Sequence, residues 1–153
     1  MPESEAKQLE GFVAKFSPEI AVMTKAVVKK MRKRYPTAQV LVYDNYNALA
    51  IGFGPSEKAG EAIFSIAVYP KWVSLFFLQA KGVRDPEGLL KGSGNVARHV
   101  VLGSPEDLEI PAIVAMMEAA VEVANVPLAA KGKGRLVIKS VSAKQRPRRA
   151  AAK

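Results

Sequence analysis

Ile63-Phe64-Ser65-Ile66-Ala67-Val68-Tyr69-Pro70-Lys71-Trp72-Val73-Ser74-Leu75-Phe76-Phe77-Leu78 is the stretch that decides the fold of this chain. Successive side chains of an extended strand point to opposite faces, so Phe64, Ile66 and Val68 oppose Ile63, Ser65, Ala67 and Tyr69. Pro70-Lys71 reads as a tight turn, after which Val73, Leu75 and Phe77 oppose Trp72, Ser74 and Phe76. The pair is a hairpin with one bulky aliphatic face. Its other face mixes small residues, hydroxyls and aromatics.

Upstream, residues 40–43 and 48–53 repeat the pattern on either side of Asp44-Asn45, a pair that turns readily. Leu49, Ile51 and Phe53 point one way, and Ala48, Ala50 and Gly52 the other. Further upstream still, Ser17 is placed to cap a helix, Pro18 suits its first position, and Glu19 favours the positive end of its dipole. Ile20, Met23, Val27, Met31 and Tyr35 then recur at spacings of three and four until Pro36 ends the helix. Residues 4–14 form a short amphipathic segment with Leu9, Phe12 and Val13 on one side. Residues 79–95, with Gly82, Gly88, Gly92 and Gly94, read as a long loop. A short strand at 98–102 and an acidic turn at Ser104-Pro105 lead into an apolar helix over 111–124, carrying Ile113, Met116, Met117, Ala120 and Val121. Helix, consecutive strands and helix imply an α+β domain, an antiparallel sheet packed against helices in two layers.

The formal net charge of +9 is unevenly distributed. Residues 1–124 hold 14 cations and all 14 acids, whereas residues 125–153 hold nine cations and no acid. The expectation is a neutral body over 1–124 and a basic C-terminal extension over 125–153. In that extension Leu136-Val137-Ile138 is able to add a strand to a sheet edge or pair with another chain. After Ser142, the residues have no visible core to join and are expected to be disordered. The body is itself segregated: six cations and no acid over 20–35, five acids and no cation over 104–124. The tail therefore has an acidic surface of its own chain to dock on, as an alternative to nucleic acid.

Absence of cysteine excludes disulfides, thiolate metal sites and cysteine nucleophiles, and one histidine, His99, excludes multi-imidazole zinc sites. Ser65, Ser74 and Ser93 lie in no nucleophile-elbow sequence, so no catalytic constellation can be named and a non-enzyme is expected. The acidic start Met1-Pro2-Glu3-Ser4-Glu5 is unlike a signal peptide, and no apolar run approaches a membrane span, so the expectation is a cytoplasmic protein without a membrane partner. No cofactor is implied.

Four motifs, Val42-Tyr43-Asp44-Asn45-Tyr46-Asn47-Ala48, Ile51-Gly52-Phe53-Gly54-Pro55, Tyr69-Pro70-Lys71-Trp72-Val73 and Gly92-Ser93-Gly94, together resemble the YdhG-like family of domains of unknown function. The resemblance runs collinearly over residues 16–124. It implies a frataxin-like sandwich, and some relatives are linked to iron delivery through acidic surfaces. This chain departs there, because its first long helix carries Lys25, Lys29, Lys30, Arg32, Lys33 and Arg34 with no acid after Glu19.

Three candidate sites follow. The small-residue sheet face suits a shallow platform, or else admits a close-packed helix. As a platform it makes the protein a binding or adaptor module for a small anionic ligand or acidic protein partner. Tyr43, Tyr69 and Trp72 would supply contacts, with Lys81, Arg98, His99 and the Gly92–Gly94 backbone supplying anion recognition. The second site is a weak nucleic-acid surface of Lys25, Lys29 and Lys33, spaced to share a helix face, with Arg146, Arg148 and Arg149. The third, from the family analogy, is a metal site of Glu106, Asp107 and Glu109. The same acids also suit a helix start.

Overall fold

In the computed structural model, which describes residues 4–92, 94 and 96–149, three helices pack on one face of a six-stranded sheet. Helix α1 spans Glu5–Ala14 and α2 spans Pro18–Arg34. Their starts are fixed by side-chain caps: the Ser4 hydroxyl accepts from the Lys7 N–H, and the Ser17 hydroxyl from the Ile20 N–H. Strands β1 (Gln39–Asp44), β2 (Leu49–Gly54), β3 (Phe64–Val68), β4 (Val73–Phe77) and β5 (Arg98–Leu102) follow. A 3₁₀ turn at Pro105–Glu109 leads into α3 (Pro111–Val123), and β6 (Leu136–Val141) closes the order. The elements expected from periodicity are all present, and the fold is α+β.

The sheet runs β5-β4-β3-β2-β1-β6, antiparallel throughout except where β6 joins β1 in parallel. In the decisive hairpin the Tyr69 N–H donates to the Trp72 carbonyl at 2.9 Å across the Pro70-Lys71 turn. Its register brings Phe64 opposite Phe77 and Ile66 opposite Leu75. These residues, with Ile51, Val27, Met31 and Met117, are essentially inaccessible and form one core between sheet and helices. Each such side chain contributes about 1.5–3 kcal/mol by leaving water.

The C-terminal segment departs from expectation. Residues 125–149 do not stand apart from a 1–124 body, because β6 is a strand of the same sheet. Approach to β1 is close: a Cβ at Gly134 would overlap the Ala38 carbonyl oxygen, so only glycine fits there. The Gly134 N–H donates to the Pro36 carbonyl at 2.8 Å, and the Val40 N–H to the Arg135 carbonyl at 2.8 Å. Beyond β6 the chain does find a core to join. The Ser142 N–H donates to the Asp44 carbonyl, the Arg146 N–H to the Tyr46 carbonyl, and the Arg148 side chain is only 5% exposed. Its guanidinium pairs with the fully buried Asp44 at 2.9 Å, donates to the Asn45 carbonyl and lies over the Phe16 ring. Lys15 completes the junction, its ammonium 2.8 Å from the other Asp44 oxygen. No local pattern announces this pairing, since its members lie 104 positions apart. The tail docks on its own chain, but on Asp44 rather than on the acidic segment at 104–124.

Candidate binding site on the uncovered sheet face

Strand register sets out the second sheet face in rows. His99, Phe76, Ser65, Gly52 and Leu41 form one row; Val101, Ser74, Ala67, Ala50 and Tyr43 form the next. No α-helix among the described residues packs here; all three contribute to the core on the opposite face. The loop after β2 covers one end. Ala62 lies 3.9 Å from where a Gly52 Cβ would sit, and Lys139 donates to the Glu57 carbonyl at 3.0 Å. The middle stays open as a concavity of about 290 Å³. Ala48, Ala50, Ser65 and Ala67 form its floor, with Tyr69, Phe76 and Leu78 on the sides and Asn45 and Asn47 at the β1–β2 turn.

Two stacked pairs stiffen this surface. Tyr69 and Trp72, held together by the hairpin turn, stack at 4.7 Å between ring centroids with 21° between planes. Phe76 and His99, cross-strand neighbours, stack at 4.8 Å and 25°. Offset-stacked rings contribute about 0.5–1.5 kcal/mol beyond their burial, so the aromatic walls are held in place before any ligand arrives. Tyr43 lies beside Ala50 in the second row. Its hydroxyl is buried with no hydrogen-bond partner among the described residues, and burial pushes its pKa up.

Of the expected ligand residues only Tyr69 lines the concavity; Tyr43 and His99 share its sheet face, and Trp72 stacks on Tyr69 while lining a separate hollow with Glu19, Met23 and Val101. The structure separates the others. Arg98 alternates with His99 and pairs with the core-facing Phe77, so it belongs to the opposite side of the edge strand; its Nε donates to the Gly94 carbonyl at 3.1 Å. Lys81 is exposed on the 79–97 loop and takes no part in lining the concavity. Gly92, at φ 104°, and Gly94 shape the loop beside His99, while Ser93 and Asn95 of the expected anion-binding turn lie outside the described residues. An anion-recognising cluster of Lys81, Arg98 and the glycine loop does not form on this face, because strand alternation and loop position carry the two cations away. The residues that sequence reading missed are Asn45, Asn47 and Phe76. Register was the missing information, since alternation assigns faces within a strand but not neighbours between strands.

The other two candidates also come apart. Lys25 and Lys29 border a cleft against α1, whereas Lys33 lines a different hollow with Lys30, Arg34 and Glu109. Arg148 is buried, and Arg149 donates to the Lys15 and Ala14 carbonyls, so the nucleic-acid set does not share one surface. Asp107 accepts from the Gly103 N–H at 2.7 Å and the Ser104 hydroxyl at 3.3 Å, as a turn-capping residue does. Glu109 pairs with Lys30 at 3.3 Å. Among the described residues no group of three or more His, Asp or Glu side chains is placed to hold a metal ion, Glu106, Asp107 and Glu109 included. Nor is any described helix long and apolar enough to cross a membrane.

No family model, curated protein or solved structure matches the chain.

Proposed function

We propose that the protein is a non-catalytic binding module that takes a small, planar, uncharged ligand bearing amide or hydroxyl groups on the uncovered sheet face. One observation carries this reading: an alanine- and serine-floored concavity, uncovered by any described helix, lies beside two pre-stacked aromatic pairs. Small floor residues let a flat ring approach the backbone, and aromatic walls bury its faces. Asn45, Asn47 and Ser65 offer both donors and acceptors. The lining holds no charged residue, so the ligand is read as neutral rather than anionic. The resemblance to YdhG-like domains is compatible with such a module but adds no ligand.

Adenosine and adenosine monophosphate are suitable probes, because they share a ring system and differ in charge. Titration followed by Trp72 fluorescence and amide chemical shifts should give adenosine binding at least as tight as the monophosphate. Tyr69→Ala should weaken it about tenfold, in keeping with the loss of one stacking partner. Tenfold tighter binding of the monophosphate would restore the anionic reading. Failure of both probes and of nicotinamide to perturb this face would overturn the site.

A further inference from the structure

We propose that the cleft between α1 and α2 is a second binding site, which takes an amphiphile with an apolar chain and an anionic head. The cleft measures about 480 Å³ and lies on the helical side of the molecule, away from the sheet concavity. Leu9 and Val13 of α1 and Val28 of α2 give it apolar walls. Thr24 also lines it, and the Thr24 hydroxyl is fully buried with no hydrogen-bond partner among the described residues. A buried hydroxyl left unpaired costs free energy and marks the floor of the cleft as imperfectly satisfied. Cations rim the cleft: Lys25, Lys29 and Arg32, spaced along one flank of α2. None of the three enters an ion pair among the described residues. Glu10 is the one acid on the rim, so the balance there is positive.

These features select one class of occupant. A nucleic-acid backbone has no use for an apolar slot, and a free phosphate would leave Leu9, Val13 and Val28 unfilled. The cleft is also short for a partner helix, since α1 contributes lining residues only from Ala6 to Val13. A single acyl chain with a carboxylate or phosphate head satisfies the apolar walls and the cationic rim together. Like charges at i, i+4 on α2 disfavour the empty state slightly, and an anionic head relieves that repulsion.

Calorimetric titration of the full chain with dodecanoate, below its micelle concentration, tests the site. Dodecyltrimethylammonium is the charge-reversed probe and acetate the chainless one. Dodecanoate should bind at least tenfold tighter than either, and Lys25→Glu with Lys29→Glu, both on the exposed rim, should remove that preference. Ala6→Trp should close the cleft from its solvent side and abolish binding. Thr24→Val should raise the melting temperature of the unliganded protein, since it removes an unpaired buried donor, while leaving the preference for dodecanoate in place. Equal affinity for both charged amphiphiles, or binding untouched by the rim and Ala6 variants, would overturn the proposal. So would loss of dodecanoate binding in Ala67→Trp, which blocks only the sheet face and places the amphiphile there instead. Preference for an acidic amphipathic peptide over dodecanoate would likewise replace the ligand with a protein partner.

Discussion

At its C-terminal end, β1 treats polar groups oppositely on its two faces. On the helix side, Asp44 is buried completely and yet saturated, gripped by Lys15 and Arg148. On the uncovered side, beyond the Tyr43 hydroxyl, which is buried and outside the lining, Asn47 and Ser65 border an open concavity. Buried polar groups that close on one another build structure, whereas polar groups left facing a gap are available to a ligand. The first arrangement ties the C-terminal segment to the fold. The second leaves room for function.

Breaking the closed side should have the largest effect. Asp44→Ala leaves the Arg148 guanidinium buried without its carboxylate, and it should cost about 3–5 kcal/mol in chemical denaturation. Arg148→Met should cost less, because Lys15 still pairs with Asp44. Combining Asp44→Ala with Arg148→Met should recover part of the loss, and a strictly additive result would show that the two side chains do not interact. Gly134→Ala comes next. Its new Cβ must displace the Ala38 backbone, so β6 shifts from β1 at a cost of about 1–3 kcal/mol. Protection of β6 amides from hydrogen exchange should fall with it, and unchanged protection would contradict the close approach.

Acid should act on the same junction more gradually. Burial alone would raise the Asp44 pKa, but hydrogen bonds from Lys15, Gln145 and Arg148, with the Lys15 charge, outweigh it and hold the carboxyl below its ordinary 3.8. The folded carboxyl thus releases its proton at lower pH than the unfolded one. Its stabilisation is complete above the unfolded value and is lost as pH falls through the folded one. Wild-type stability should therefore decline below about pH 4 more steeply than that of Asp44→Asn. Parallel acid profiles would remove Asp44 from the account. Smaller again is Ser17→Ala, which deletes the acceptor of the Ile20 N–H and should cost about 1 kcal/mol.

The comparison also explains what could be read from the chain in advance. Alternation in residues 63–78 and the Ser17-Pro18 start are local signals, and the strands and helices they announce are where expected. Even β6 was legible as a candidate edge strand from Leu136-Val137-Ile138. Arg148 was not, because a solvated tail cation and a buried structural one have the same local sequence; only Asp44, 104 positions away, distinguishes them. The concavity was legible by face and not by lining. Ala50, Ala67 and Ser65 alternate outward in their own strands, but Phe76 and Asn47 enter only once register brings β4 and the β1–β2 turn beside them.

The open side should respond in the reverse manner, with small effects on stability and large ones on binding. Ala67 is the centre of the floor, next to Ala50 on β2 and Ser74 on β4. Its side chain points away from the main core but is only 7% exposed, so a larger group reaches the concavity by displacing its immediate neighbours. Ala67→Trp should therefore cost about 1 kcal/mol, the low end of the overpacking range and well below Asp44→Ala. The added indole occupies the volume that a planar ligand would take between Tyr69 and Phe76, and adenosine titration should lose its signal entirely. Ser17→Ala, on the helical side, should do the converse, weakening the fold while leaving adenosine affinity intact. If Ala67→Trp instead destabilised the protein as strongly as Asp44→Ala, the floor would be packed and the two faces alike, and the distinction between a structural and a receptive side of β1 would fail.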